Sequence, residues 1–362
     1  MKAVLAGGGS AGHVSPLLAL ADRLVADDPS TEIVALGTET GLESRLVPAR
    51  GYRLHPIPKV PLPRRPSLSL LRLPANLRRA VREARNAIDG LGADVVVGFG
   101  GYVAAPAYLA ARQAKVPIVV HEQNSRPGFA NRLGARLTRS VAVSFPGTPL
   151  RHAVRTGLPL RAEIVTLNTV AVRPAARAAF GLDAARRTLL VFGGSLGAQR
   201  LNQVLPALAP ELAAAGVQVL HVAGTGKSVA VTPSRGAPPY TVVEYVDHME
   251  LAYAAADLVV GRAGANTVSE LTALGLPAIY VPLPIGNGEQ RLNVEPVVAA
   301  GGGLMVADAD LTPEWLRANL LPLLADADRR RTMGEAARGF GRLDADRALA
   351  DLVRTAISGG HR

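Results

Sequence analysis

Apolar residues along this chain fall into short runs closed by glycine or proline, with longer stretches of helical spacing between them. Residues 3–9, AVLAGGG, make one such run, and residues 188–194, TLLVFGG, repeat it. Each passes into a turn of small residues, GGSAG at 8–12 and GGSLG at 193–197. A run without polar alternation is buried on both faces, and one that feeds a glycine-rich turn opens a nucleotide-binding α/β unit. The echo continues downstream. DVVVGFGGY starts at Asp94 and DLVVGRAGA at Asp257, with glycines at the same offsets (Gly98 and Gly101; Gly261 and Gly264). Each leads through an Ala/Leu-rich helical pattern to a further apolar run, KVPIVV at 115–120 and GLPAIYV at 275–281. Two matched strand–loop–helix–strand units in the same order predict an α/β protein of two Rossmann-like domains. A ligand is then expected in a cleft between them.

Periodicity is lost after Pro159–Arg161, which puts the domain boundary there: 1–160 and 161–342. The last predicted helix, about 343–357 with Leu343, Leu349, Leu352 and Val353 apolar, is open to either half. The length of 362 residues suits two domains. The absence of cysteine removes disulfides and thiolate metal sites and gives no sign of an oxidising compartment. Lys2 leads into four apolar residues and three glycines, which is not a secretory signal, and the charge-free stretch 95–111 is broken by Gly98, Gly100, Gly101 and Pro106. A cytoplasmic protein is expected. The formal charge of +11 favours anionic partners, such as phosphate esters or an acidic surface, although an Arg- and Ala-rich composition accounts for it equally.

Four loops carry candidate chemistry. Gly7–His13, GGGSAGH, spells the dinucleotide fingerprint through Gly7, Gly9 and Gly12. Ser15-Pro16 reads as an N-cap and first helical residue, so the helix is expected to start after His13, leaving a loop longer than the tight NAD turn. No acidic residue stands at ribose distance, and Glu39 is too far on. A phosphate- or sugar-cradling nest is the functional reading and a plain turn the alternative. In the second half, Ser195 of GGSLGA either donates to a phosphate or caps a helix near Leu196. Arg262–Glu270, RAGANTVSE, offers Glu270 as an acceptor for ribose hydroxyls or, with Thr267, as the acid of a capping box. His121-Glu122-Gln123-Asn124 closes a strand at the end where α/β proteins bind ligands, or is a solvated loop. The D-x-D spellings (Asp308/Asp310, Asp326/Asp328, Asp344/Asp346) lie in the polar C-terminal part, and no metal or cofactor is expected; glycine-loop N–H groups and helix dipoles suffice for a leaving diphosphate. Residues 61–85 carry seven arginines, one glutamate and Leu68, Leu70, Leu71, Leu73 and Leu77. That segment fits an anionic membrane surface or a helix whose leucines face the core. It lacks the interleaved aromatics that nucleic acid would use, so nucleic acid is not expected as a partner.

Taken together, GGGSAGH, GFGGY, HEQN, GGSLGAQRLN, AGANTVSE and GEQRLN (288–293) resemble the MurG family over nearly the whole chain. The family comprises bacterial N-acetylglucosaminyltransferases that make the last membrane-linked peptidoglycan precursor on the cytoplasmic face of the membrane. The resemblance implies a GT-B fold, UDP-N-acetylglucosamine as donor, undecaprenyl-diphospho-N-acetylmuramoyl-pentapeptide as acceptor, and an inverted β-1,4 product. By motif, Ser10, Ala11, Gly12 and Asn124 approach the donor, and Arg161 and Val246 border uracil. Ser195 meets the diphosphate, Ala265, Asn266, Thr267, Val268 and Ser269 wrap the donor, Glu270 takes the ribose and Gln290 the sugar. Gly100, Gly101 and Tyr102 face the acceptor diphosphate. Inversion needs one base, for which His13 is the candidate and Glu122 the reserve. Two positions depart from the family pattern: Leu158 stands where the hinge has Asn, and Leu196 where the second loop has Gln. Rival readings are a UDP-N-acetylglucosamine 2-epimerase, a nucleotide-binding regulator and a dehydrogenase.

Overall fold

The computed structural model describes residues 1–60, 69–194, 199–231 and 236–359, leaving aside the side chains of 69–72. The chain forms two compact units, Met1–Arg161 with Leu343–Arg362, and Ala162–Arg342. The first contains β1 (Lys2–Ala6), α1 (Ala11–Asp27), β2 (Glu32–Gly37), α2 (Glu43–Ala49), β3 (Arg53–Pro56), α3 (Ser69–Leu91), β4 (Val95–Gly98), α4 (Ala104–Ala114), β5 (Ile118–Glu122), α5 (Phe129–Gly134), β6 (Ser140–Val143) and β7 (Ala153–Arg155). The second contains α6 (Ala162–Val165), α7 (Thr169–Ala179), β8 (Thr188–Phe192), α8 (Gln199–Val204), α9 (Ala209–Ala214), β9 (Gln218–Val222), β10 (Tyr240–Val243), α10 (Met249–Ala255), β11 (Leu258–Gly261), α11 (Ala265–Leu274), β12 (Ala278–Tyr280), α12 (Glu289–Ala299), β13 (Leu304–Met305), α13 (Pro313–Ala325) and α14 (Ala327–Arg338). A last helix, α15 (Ala345–Gly359), packs in the first unit.

Both sheets are parallel, ordered β3-β2-β1-β4-β5-β6-β7 and β10-β9-β8-β11-β12-β13. Each unit is thus Rossmann-like, and in each the order reverses beside its first strand, so the ligand crevice of such sheets lies past the carboxyl ends of β1 and β4 and of β8 and β11. The unbroken apolar runs are explained by burial on two faces. Val4, Val34, Val96 and Val120 pack with Ala84, Ile88, Ala107 and Tyr108 of α3 and α4. Ala3, Leu5, Ile33 and Val97 pack with Leu17 and Leu20 of α1 and Leu349 and Val353 of α15. The stretch 95–111 is strand, glycine loop and helix, and among the described residues no helix is long and apolar enough to cross a membrane.

The repeated aspartates do one job twice. Asp94 accepts from the Lys2 N–H at 2.7 Å while its own N–H donates to the Lys2 carbonyl at 2.8 Å. Asp257 accepts from Thr188 N–H at 2.8 Å and donates to the Thr188 carbonyl at 2.9 Å. Each pair anchors the first strand of its sheet beside the strand across the switch point. Burial separates them. Asp94 is exposed, whereas Asp257 also takes Arg173 at 3.1 Å and the buried Arg177 at 2.7 Å, which bind α7 to this junction. Removing Asp257 leaves a buried guanidinium without its carboxylate. Asp257→Ala should therefore cost the second unit about 3 kcal/mol in urea unfolding, against about 1 kcal/mol for Asp94→Ala in the first. Equal losses at the two sites would show that burial does not set the difference.

Candidate functional site

In the first unit two glycine loops meet beside the switch point. Gly101 has φ +76°, and a Cβ there would stand 2.5 Å from the Gly8 carbonyl oxygen; Gly100, at φ +89°, would bring a Cβ within 3.2 Å of His13 Nε2. A side chain at Gly101 would collide with that carbonyl, and at Gly100 the positive φ strains any L-residue. Gly9, at φ +88°, faces the ring edge of Tyr102, whose own face lies under the Lys59 ammonium at 5.2 Å from the ring centre. GGGSAGH and GFGGY are thus packed backbone against backbone.

The start of α1 differs from the sequence expectation. Ser10 is its N-cap, in extended backbone, and Ala11 its first residue, so Ser15 and Pro16 lie inside the helix rather than at its mouth. The His13 and Val14 amides already bond the Ser10 carbonyl at 3.1 and 3.2 Å. The loop is therefore as short as a dinucleotide turn, and its length does not argue against one. The Ser10 hydroxyl makes no cap bond; it sits 3.1 Å from His13 Nδ1. His13 is half-buried, and burial lowers its pKa against a smaller rise from a hydrogen bond to the Gly8 backbone and from the charge of Glu43. The ring is neutral at pH 7.

Beside β5 the HEQN segment is built inward, not solvated. His121, Glu122 and Gln123 are buried and Asn124 is half-buried. Glu122 accepts from Asn124 N–H at 2.9 Å, Gly128 N–H at 3.0 Å and Asn131 Nδ2 at 3.0 Å, so both of its oxygens are engaged in holding the turn into α5. Burial nonetheless raises its pKa. Asn131 passes the network on, accepting from the buried Tyr108 hydroxyl at 2.8 Å. His121 Nε2 donates to the Gly157 carbonyl at 2.9 Å, and Nδ1 takes the Gln123 amide at 3.0 Å, a fixed tautomer that ties β5 to the start of GLPLR. Arg161 closes that segment, half-buried, at the end of the first unit's main stretch.

In the second unit, Gly264 is the N-cap of α11 and Ala265 its first residue. Thr267 is consequently inside the helix, and the capping-box alternative for Glu270 falls away. Glu270 is buried and accepts from the Tyr253 hydroxyl of α10 at 2.7 Å. Asn266, Thr267 and Ser269 are half-buried on the first turns of α11, with Ala265 and Val268 inside. Gln290 accepts from the Ala263 and Leu283 amides at 3.2 and 3.0 Å and so joins the loop after β11 to the loop after β12. Val246 is buried between β10 and α10. Ser195, with residues 196–198 of its loop, lies outside the described residues. Asp308 pairs with the buried Arg262, and Asp326 caps α14 through the Arg329 amide at 2.9 Å. Among the described residues no three His, Asp or Glu side chains are grouped to hold a metal.

The basic segment answers in part, since residues 61–68 lie outside the described residues. On α3, Val81, Ala84 and Ile88 face the core, and Leu77 packs against it. Arg78, Arg79 and Arg82 are exposed. Leu77, Val81 and Leu109 floor a groove of about 370 Å³ whose edge carries Arg78, Arg82 and Arg85. Two residues central to the first-unit site were not signalled by sequence. Asn131 and Glu43 have unremarkable local contexts, and their partners lie 9 and 34 residues away.

Residues 3–143 match the glycosyltransferase family 28 N-terminal domain and residues 188–349 its C-terminal domain. A Streptomyces avermitilis protein named UDP-N-acetylglucosamine–N-acetylmuramyl-(pentapeptide) pyrophosphoryl-undecaprenol N-acetylglucosamine transferase is 58% identical over 363 residues, covering all of both chains. The crystal structure of Acinetobacter baumannii MurG superposes with a TM-score of 0.75 at 28% identity, covering 98% of this chain and 100% of that one. A UDP-GlcNAc 2-epimerase from Neisseria meningitidis reaches a TM-score of 0.71 at 12% identity, over 98% and 100% of the two chains, a likeness of fold alone.

Burial holds His121 neutral and moves its pKa down to about 4 from 6.5. Between those values the unfolded chain binds a proton that the folded chain does not, so this residue's contribution to stability grows as pH rises and is lost as pH falls through the window. Glu122, shifted upward, works the other way just above the carboxylate range. His121→Gln should flatten the climb of the first unit's stability between pH 4 and 6.5 by up to about 1.4 kcal/mol per pH unit. An unchanged slope would mean the imidazole is not held neutral.

Proposed function

This chain belongs to glycosyltransferase family 28 and within it to the MurG family; we propose that it moves N-acetylglucosamine from UDP-N-acetylglucosamine to the 4-hydroxyl of undecaprenyl-diphospho-N-acetylmuramoyl-pentapeptide. Identity of 58% along the full length to a transferase of that name carries the reading. The fold is that of GT-B enzymes, two Rossmann-like parallel-sheet domains. The product is the last lipid-linked precursor of peptidoglycan, so the activity serves cell-wall synthesis.

The chemistry is one displacement at the anomeric carbon with inversion. The acceptor hydroxyl loses its proton to His13 as the bond to carbon forms and the bond to UDP breaks. A half-buried, neutral imidazole that donates to the Gly8 backbone keeps a lone pair for that proton. Glu122 is assigned to holding the α5 turn, because its oxygens are already engaged. Gly100 and Gly101 receive the acceptor diphosphate on backbone N–H groups, with Lys59 beside Tyr102 as the nearby cation. Donor recognition is assigned to Ser10, Ala11, Gly12, Asn124 and Arg161 in the first unit. In the second it is assigned to Ser195, Val246, the first turns of α11 at Ala265–Ser269, Glu270 for the ribose hydroxyls and Gln290 for the sugar.

The enzyme works at the cytoplasmic face of the membrane, attached peripherally. The groove on α3 with Leu77, Val81 and Leu109 under Arg78, Arg82 and Arg85 suits acyl chains below anionic headgroups.

Two measurements test these assignments. In EDTA, UDP should be released from UDP-N-acetylglucosamine only when a short-chain acceptor lipid is present, and His13→Ala should cut that rate ~100-fold or more with UDP affinity held. Release without acceptor would point to hydrolysis or an epimerase-like reaction, and full activity in His13→Ala would remove it as base. Reversing Arg78, Arg82 and Arg85 to Glu should release the protein from anionic vesicles without changing turnover on a soluble acceptor. Retention on the vesicles would move the membrane contact elsewhere.

A further inference from the structure

Directly beneath the first glycine loop lies a carboxylate that the reaction as derived does not use. Glu43, the first residue of α2, is fully buried. Its Oε2 accepts from the Gly9 N–H at 2.9 Å; its Oε1 accepts from the Thr38 N–H and Thr38 hydroxyl, both at 2.8 Å. Three glycines make its chamber. A Cβ at Gly8 would come within 2.5 Å of Glu43 Oε1, one at Gly37 within 2.4 Å of its Cγ, and one at Gly41 within 2.2 Å of Oε2. The chamber therefore has walls of backbone, and the carboxylate cannot leave it without moving the loop. Burial alone would raise its pKa, but the bonds from Gly9 and Thr38 outweigh this and hold it below its usual value, so it stays charged.

We propose that Glu43 is a positioning residue for the transferase reaction, one that fixes the Gly8–Gly9 turn against the Gly100–Gly101 loop and stabilises the imidazolium formed when His13 takes the acceptor proton. The proposal rests on His13 as base. The route is short: Glu43 holds the Gly9 amide and touches Gly8, and the Gly8 backbone accepts from the His13 ring. A fixed negative charge beside a neutral base is worth most when that base becomes positive, and here the carboxylate sits out of water. Among the described residues Glu43 is the charged group that bears on His13. Ser10 is uncharged, the Asn131 amide approaches Gly100 and stands between it and Glu122, and Tyr102 with Lys59 lies past Gly9.

Glu43→Gln in the full chain tests this, with folding checked by circular dichroism and Glu43→Ala as a second variant. The His13 imidazole is followed by NMR through its own pH titration, and turnover is followed across the same range. Loss of the charge should move the His13 titration to lower pH, shift the acid limb of turnover with it, and lower kcat ~10-fold or more while UDP affinity holds. A uniform fall in kcat with an unmoved His13 titration would reduce Glu43 to a packing role and overturn the proposal. An unmoved titration with unchanged kcat would overturn it as well. If the titration moves in Glu43→Gln but His13→Ala remains fully active, the coupling stands and the assignment of His13 as base is what fails.

Discussion

The first unit's site depends on one close approach, the backbone of Gly101 against the carbonyl of Gly8. Two loops that leave neighbouring parallel strands can share the crevice only if neither carries a side chain at the crossing, and a Cβ on Gly101 would be 2.5 Å from that oxygen. Positive φ at Gly9, Gly100 and Gly101 turns peptide units that an L-residue would resist turning. Three polar side chains close on that crossing. His13 reaches the Gly8 backbone from above, Glu43 holds the Gly9 amide from below, and Asn131 closes on Gly100 from α5.

The second unit repeats the architecture, and its described glycines serve other ends. Gly98 and Gly261 hold the same place after their aspartates, yet Gly98 makes room for the Tyr108 ring and Gly261 for the Phe192 backbone. Gly101 is forced by the Gly8 carbonyl, while Gly264, at φ −63°, caps α11 and meets nothing closer than the Thr267 hydroxyl at 4.0 Å among the described residues. What the two units share is what the sheet requires, the strand anchor through Asp94 and Asp257. The halves can do different chemistry on one plan because strand pairing does not involve the loops that carry it.

That division also explains what could be read from the sequence. The strands were legible because burial on both faces suppresses polar alternation, and the glycine loops because only one residue type tolerates their geometry. Helix starts were less so. Ser15-Pro16 has the composition of a helix mouth, but the Ser10 carbonyl had already begun α1 and left Pro16 inside it. Thr267 and Glu270 have capping-box spacing, yet Gly264 caps α11, and Glu270 is instead committed to Tyr253. Spacing along the chain signals local bonds only. The bonds of Glu43 to Gly9 and of Asn131 to Glu122 join segments whose meeting is decided by sheet order, and neither segment announces its partner.

Fold alone leaves the reaction open, since an epimerase superposes on this chain at a TM-score of 0.71 with 12% identity. What separates a transferase from an enzyme that acts on the sugar nucleotide alone is the need to hold a second hydroxyl and accept its proton. In the reaction proposed here the accepting group is His13. Burial lowers its pKa and keeps the ring neutral, while the hydrogen bond to the Gly8 backbone and the charge of Glu43 pull less strongly the other way. A base wholly dominated by burial would resist becoming positive, and one dominated by the carboxylate would already be protonated. On that proposal the ring starts neutral and must end as a cation, so a fixed carboxylate such as Glu43 gains weight only as the proton arrives.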